Sequence, residues 1–344
     1  MYKNVNSKTP LVSVVMPVYN GIPYLPEAIR SILSQSFSDF EFIIINDGST
    51  DDSEKVISEF NDKRIIYIKN EINLGLIESL NKGIRIAKGK YIARMDADDV
   101  AYSNRLELQV QKFSLNPNAM VVGSDYLLMK RNSTKHIKNK DDSDYNKAVL
   151  FFSTCFCHPT VMMRNIFGEK NVFYDKKYIH AEDYKLWVDI YAYGDFLNVN
   201  HALLKYRSHE SQISTKNKET QLKVSREIRK NYCEKTNFNL TDEQFETLNF
   251  IGNNIFITSE AELSKIEDCL LTLKNLNAKN KTFKELSFNI FLHKFWSDSC
   301  GNTNLGLNAY GIYKASVLSK IAPVSFGQKS KLMAKCLLRK FRSS

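Results

Sequence analysis

Four short apolar runs alternate with helical segments over the first hundred residues, and this alternation limits the fold more than any other feature of the chain. LVSVVMPV (11–18) and FEFIIIN (40–46) are continuous β-branched runs, the pattern of strands covered on both faces. RIIYIKN (64–70) and KYIARM (90–95) read as a third and a fourth strand. Between the first two, Leu25, Ile29, Ile32 and Leu33 recur at helical spacing, with Pro23 and Pro26 in the first turn, where no backbone donor is needed. DGSTDDSEKVISEF reads as a turn and a helix with acids near its start, as the helix dipole favours. Leu74, Ile77, Leu80 and Ile84 mark a further helix over 74–87. Strand and helix in this order predict an α/β fold with a mostly parallel sheet flanked by helices. In such sheets ligands gather beyond the carboxyl ends of the strands. The polar clusters around Asn20, Asp47 and Asp96–Asp99 all stand at such ends and should converge on one site. The dinucleotide fingerprint GxGxxG is absent after the first strand, where PVYNGIPYL stands instead, which disfavours an NAD-type site.

Later stretches are less regular. AVLFFSTCFCHPTVMMR (148–164) combines a helix end, a turn and a strand, AEDYKLWVDIYAY (181–193) is helical, and GDFLNVNHALLKYRSH (194–209) reads as two short strands. From 216 the chain is rich in Lys and Asn, with helices near 218–235, 241–258, 260–276, 281–298 and 327–342. A chain of 344 residues suits one large domain with an appendage, or two domains. The expected division is a polar leader at 1–10, a catalytic domain at 11–215 and a mostly helical region at 216–344.

Composition narrows the classes. The leader lacks the apolar core of a signal peptide, and no apolar run approaches the roughly 18 residues that span a bilayer. Six cysteines without CxxC spacing argue against structural zinc and for free thiols in a reducing, cytoplasmic setting. The net charge of +10 is local: no acid follows Asp298, whereas Lys314, Lys320, Lys329, Lys331, Lys335, Arg339, Lys340 and Arg342 do. A nearly neutral remainder argues against nucleic acid as a partner. In 327–344, Leu332, Met333, Cys336, Leu337 and Phe341 should share a helix face, with basic residues elsewhere. Such a helix could lie on an anionic membrane, making the protein peripheral on the inner face, or could simply close the domain.

With these elements in place, the chain resembles the family 2 glycosyltransferases of the GT-A fold. SVVMPVYNG, IINDGSTDDS, NLGLIESLNKGIRIAKGKYIARMDADD and NRLELQ resemble the family's successive signature blocks, and CHPTVMMR, AEDYKLW and YRSHESQIS follow in the expected order. The resemblance covers residues 11–215. It implies transfer of a sugar from a nucleotide-diphosphate donor, expected to be a UDP-sugar, to a saccharide or lipid-linked saccharide in bacterial surface-polysaccharide assembly. Pro17, Tyr19 and Asn20 match the block lining the nucleotide pocket, although Pro17 also suits a strand end. Asp47 matches the position that accepts the N3 hydrogen of uracil; alternatively, it caps the next helix with Ser49. The usual Asp-Asp pair is here Asn46-Asp47. Asn73 and Asn81 fall where the family holds ribose and diphosphate, with helix capping the alternative for Asn73. Arg94 could face a phosphate or pair with an aspartate.

Asp96 and Asp98 match the family's DxD. Hard carboxylate oxygens suit Mg²⁺ or Mn²⁺, with Asp98 the implied direct ligand and Asp96 between ribose and metal. Asp99 is read as bonding the backbone or starting the next helix. The resemblance makes Asp183 the base that deprotonates the acceptor hydroxyl and Glu182 its neighbour, the alternative being dipole complementation at a helix start. In YRSH, His209 would complete the metal shell and Arg207 pair with the diphosphate, unless the segment is a basic surface loop. His158 is placed near the acceptor, or in the core. A catalytically silent nucleotide-sugar-binding scaffold is the rival reading, opposed by the joint presence of Asp47, Asp96, Asp98 and Asp183. A sugar-1-phosphate nucleotidyltransferase would carry a Gly-rich loop near its start, and none is present.

Overall fold

The structure, a computed structural model, describes residues 9–208 and 217–340. Residues 1–8 of the expected leader, His209 and Phe341 lie outside the described residues. The chain divides into two compact units, Met1–Asp141 with Phe156–Gln221 and Asp142–Cys155 with Leu222–Ser344.

The first unit is built on β1 (Val12–Val18), α1 (Leu25–Leu33), β2 (Phe40–Asn46), α2 (Ser53–Ser58), β3 (Ile65–Lys69), α3 (Leu76–Ile86) and β4 (Tyr91–Arg94). Every residue of β1, β2 and β4 is buried, as their continuous apolar runs require, whereas the edge strand β3 exposes Tyr67 and Lys69. Gly83 lets α3 lie directly on β1, since a Cβ there would come within 2.5 Å of Val15 Cγ1. The chain continues through β5 (Val100–Ala101), α4 (Arg105–Leu115), β6 (Ala119–Lys130), β7 (Ser133–Ile137), α5 (Ser143–Val149), β8 (Met162–Arg164), α6 (Phe167–Lys170), α7 (Glu182–Ile190) and β9 (Asp195–Arg207). The strand order is β3-β2-β1-β4-β8-β6-β9-β5, with β7 on β6.

The sheet is mixed. Strands β3, β2, β1 and β4 run parallel, and antiparallel pairing enters with β8, β5 and β7. The 12-residue β6 has no counterpart in the sequence reading, because Gly123, Ser124 and Asp125 interrupt its apolar run. Asp125 is buried there against His136 Nε2 at 3.0 Å and the Asn139 amide at 2.7 Å. The two short strands expected over 194–209 are one strand, β9, which follows β6 in parallel with register shifts beside Asp125.

The second unit contains α5, α8 (Lys218–Lys235) from Leu222 onward, α9 (Asp242–Gly252), α10 (Glu260–Asn280), α11 (Glu285–Cys300), α12 (Leu307–Ala315) and α13 (Phe326–Lys340). Full capping boxes, Thr241 with Gln244 and Ser259 with Glu262, start α9 and α10. The unit takes residues 142–155, which the sequence reading ran into the catalytic block, because Phe151 and Phe152 pack among Phe238, Phe283, Phe288, Phe291 and Phe295. The expected face of the last helix is split. Leu332 and Cys336 point inward, while Met333 and Leu337 are exposed. Among the described residues no helix is long and apolar enough to cross a membrane. All six cysteines are free.

Candidate active site

Two turns meet beyond the carboxyl ends of β1 and β2. Asn20, at φ +50°, accepts the Thr50 amide on Oδ1 at 2.8 Å and donates its own amide to Ser49 Oγ at 3.0 Å. Gly48, at φ +67°, lets the second turn pass the 72–73 backbone, where a Cβ would lie 2.7 Å from the Ile72 carbonyl carbon. Asp47 is buried below. Its Oδ1 accepts Asn70 Nδ2 and the Leu74 amide at 2.8 and 2.9 Å, and its Oδ2 accepts the Gly75 amide at 2.9 Å. Asp47 therefore anchors the 70–75 loop rather than capping α2, and Oδ2 retains capacity for one more donor. Asn46 is fully buried, donating to Tyr67 Oη at 3.0 Å and accepting the Ser49 amide, so an uncharged amide suits the place of the usual aspartate. Tyr19 is half exposed at the end of β1, and Pro17 is buried within β1, beside Ile45. Asn73 makes a local turn by accepting the Gly75 amide at 2.9 Å.

Asn81 is buried and held by the backbone of Tyr174, donating to the carbonyl at 2.8 Å and accepting from the amide at 3.0 Å.

The acidic cluster follows β4. Asp96, Asp98 and Asp99 each offer an oxygen, and these atoms all lie within 4.8 Å of one another. Burial is the main force on Asp96, lifting its pKa to about 6, with Arg94 opposing and Asp98 adding. Asp99 is raised well above the usual range by burial and then by its two acidic neighbours. Its Oδ1 accepts the Arg207 amide at 2.9 Å, while its buried Oδ2 has no partner among the described residues. Pairing of β5 with β9, Val100 opposite Lys205, brings that amide to the cluster. The Arg207 guanidinium instead pairs with Glu27 and lies over the Tyr24 ring, 4.7 Å from its centroid.

Two guanidinium groups lie behind the three acids. Arg94 is buried and ion-paired with Asp96. Arg105, fully buried, donates to the carbonyl oxygens of Arg94 at 2.7 Å and Val161 at 3.3 Å and is held by Gln109 at 3.2 Å. Burial lowers its pKa to about 10. Acids outnumber these cations, oxygen is the only donor element in the cluster, and one of its buried carboxylate oxygens, Asp99 Oδ2, has no partner among the described residues. Those features fit a hard divalent cation such as Mg²⁺ or Mn²⁺.

Glu182 and Asp183 open α7. Burial, and then Asp183, push the Glu182 pKa up to about 7. His158 Nε2 meets Tyr174 Oη at 2.7 Å, and burial followed by Arg94 holds the imidazole well below its usual pKa, hence neutral. Arg94, Asp183, Glu182 and Asp96 all act electrostatically on the Tyr174 hydroxyl, so one neighbourhood joins the acidic cluster to the start of α7. Sequence reasoning assigned no role to Tyr174, Arg105 or Gln109. The last two stand i, i+4 in NRLELQ, a spacing that puts them on one helix face.

The sequence profile described as glycosyl transferase family 2 matches residues 13–173. An uncharacterized glycosyltransferase of Haemophilus influenzae is 32% identical over 296 residues, covering 82% of this chain and 86% of that protein. The UDP-Glc:alpha-D-GlcNAc-diphosphoundecaprenol beta-1,3-glucosyltransferase WfgD of Escherichia coli is 29% identical over 215 residues, 62% of this chain and 83% of WfgD. Among solved structures, residues 1–349 of S. aureus TarS in complex with UDP-GlcNAc superpose with a TM-score of 0.58 at 17% identity, covering 84% of this chain and 88% of that one. That likeness bears on the fold alone.

Proposed function

The chain belongs to glycosyl transferase family 2 and has the GT-A fold, and we propose that it moves a sugar, with inversion, from a UDP-sugar to a hydroxyl of a lipid-linked saccharide. The carrying observation is the cluster of Asp96, Asp98 and Asp99 with its oxygens within 4.8 Å. These three would hold Mg²⁺ or Mn²⁺, which supplies positive charge to the departing diphosphate. Tyr19 offers an exposed ring at the end of β1 for the base, and Asp47 Oδ2 its remaining acceptor capacity for the N3 hydrogen of uracil. Asp183 takes the proton of the acceptor hydroxyl as that oxygen bonds to the anomeric carbon and the bond to the diphosphate breaks. Glu182, with its pKa raised to about 7, stays partly protonated at neutral pH and can donate a hydrogen bond to the acceptor sugar. His209 is proposed as a further ligand on the family resemblance alone.

A lipid-linked acceptor is supported by the likeness to WfgD, whose name specifies a diphosphoundecaprenol substrate. It would place the work at the cytoplasmic face of a membrane, in surface-polysaccharide assembly. The test is thermal shift with UDP-sugars and GDP-sugars, each with and without Mn²⁺ or Mg²⁺, followed by transfer assays with Asp183→Asn. The expected result is stabilisation by UDP-sugars only with metal, and loss of transfer but not of donor binding in the variant. Unchanged transfer by Asp183→Asn would refute the assigned base.

A further inference from the structure

The last helix, α13, has two apolar faces of different kinds. Leu332 and Cys336 pack inward at 4% and 1% exposure, with Cys336 Sγ 3.5 Å from the Cys300 carbonyl oxygen. Phe326, Met333, Leu337 and Leu338 stay outside at 86%, 41%, 38% and 67% exposure. At helical rotation Phe326, Met333 and Leu337 fall within about 40° of arc, with Leu338 about 100° further round. Lys329 borders this arc on one side, and Lys331 and Lys335 border it on the other. All three lysines are exposed, Lys335 lying 3.9 Å from Asp298. No acidic residue follows Asp298 in the sequence.

We propose that this outer face of α13 is a docking surface for an anionic bilayer. The helix lies in the headgroup plane, with Phe326, Met333, Leu337 and Leu338 dipping toward the acyl chains. The lysines reach sideways to lipid phosphates while their methylene stems stay on apolar surface. Charge selects this occupant. A second copy seated on the same face would set lysines against lysines, whereas an anionic bilayer meets the apolar strip and its cationic borders together. The inference deepens the lipid-linked acceptor reading, but membrane binding is measured apart from transfer.

The experiment is sedimentation of the full chain with vesicles of phosphatidylcholine alone or mixed with phosphatidylglycerol, over a series of salt concentrations. Binding should require phosphatidylglycerol and weaken as salt rises. Phe326→Ser combined with Leu338→Ser should lower partition roughly tenfold or more, and Lys329→Gln combined with Lys331→Gln should flatten the salt dependence. The replaced side chains are exposed, so Tm and UDP-dependent thermal shift should hold, which separates lost docking from misfolding. Absence of binding to anionic vesicles, or equal binding by wild type and variants, overturns the proposal. So does a dimer that dissociates when Phe326 and Leu338 are replaced. Transfer to a detergent-solubilised acceptor without vesicle binding would overturn docking and leave the function reading standing.

Discussion

Two buried regions, one in each unit, hold opposite kinds of side chain. At the end of β4 the first unit buries Arg94, Asp99, Arg105 and, at the start of α7, Glu182, all at 8% exposure or less. Arg94 Nε and Asp99 Oδ2 are left there without partners among the described residues. The second unit buries rings, Phe151, Phe238, Phe288, Phe291 and Trp296 among them. Its buried cation, Arg229, is matched by acceptors on Phe152, Asn249 and Asn253. Buried charge without full pairing costs stability and is retained where it meets a ligand. A ring cluster has no such debt and holds a unit together. Changes in the first region should therefore alter chemistry more than stability, and changes in the second should do the reverse.

The largest effect expected is that of Asp98→Ala on transfer. Removing one of three clustered carboxylates should lower turnover at least about a thousandfold while Tm holds or rises, because Asp98 is one of the charges that raise Asp96 and Asp99. Kinetics with saturating donor and metal, beside a melting curve, decide this. A matching fall in Tm would make the cluster structural and erase the contrast. The mirror experiment is Phe288→Ala. Its ring is 1% exposed and lies 5.3 Å from both Phe283 and Phe291. Denaturant unfolding should show a loss of about 3–5 kcal/mol, with turnover per folded molecule unchanged.

The same division governs what could be read in the sequence. Strands β1, β2 and β4 were legible because burial on both faces leaves an unbroken β-branched run, and polar clusters at their ends mark a ligand edge. Strand β6 was not, since a strand carrying the buried Asp125 breaks the apolar pattern, and its partners lie beyond any local window. Asp96 and Asp98 were legible as spaced acids. The sequence reading makes Asp99 a supporting residue, and its bond to the Arg207 amide, with the other oxygen buried and unpartnered among the described residues, depends on the distant pairing of β5 with β9. Helix α12 was missed because Gly306 and Gly311 dilute its period. The last helix was legible as amphipathic, but which apolar face turned inward could not be read from one helix.

Glu182 sharpens the comparison through pH. Its carboxyl titrates at about 7 in the folded chain against a usual value of 4.5, so the folded state holds its proton more tightly than the unfolded state. Stability contributed by the protonated group is intact below 4.5, falls as pH rises through the window from 4.5 to 7, and is gone above it. Glu182→Gln should therefore melt with wild type near pH 4 and be the more stable protein at pH 8, by up to about 3 kcal/mol. Equal melting at pH 8 would show that the burial of this acid carries no cost.

Asn81 gives the smallest expected effect and the finest test, because the sequence reading places it with the nucleotide and its side chain hydrogen-bonds the backbone of Tyr174. Asn81→Ala leaves a buried amide and carbonyl unpaired, at a cost of about 2 kcal/mol, and frees the chain that holds Tyr174 Oη against His158 Nε2. The affinity for UDP with metal should stay within about twofold of wild type, and a rise in acceptor KM would support the proposal that His158, deprived of its fixed partner, lies beside the acceptor. Loss of UDP affinity at unchanged Tm would return Asn81 to the nucleotide. Loss of both would mean that stability and donor binding are not separable within the first unit, which is the point at which the contrast with the second would fail.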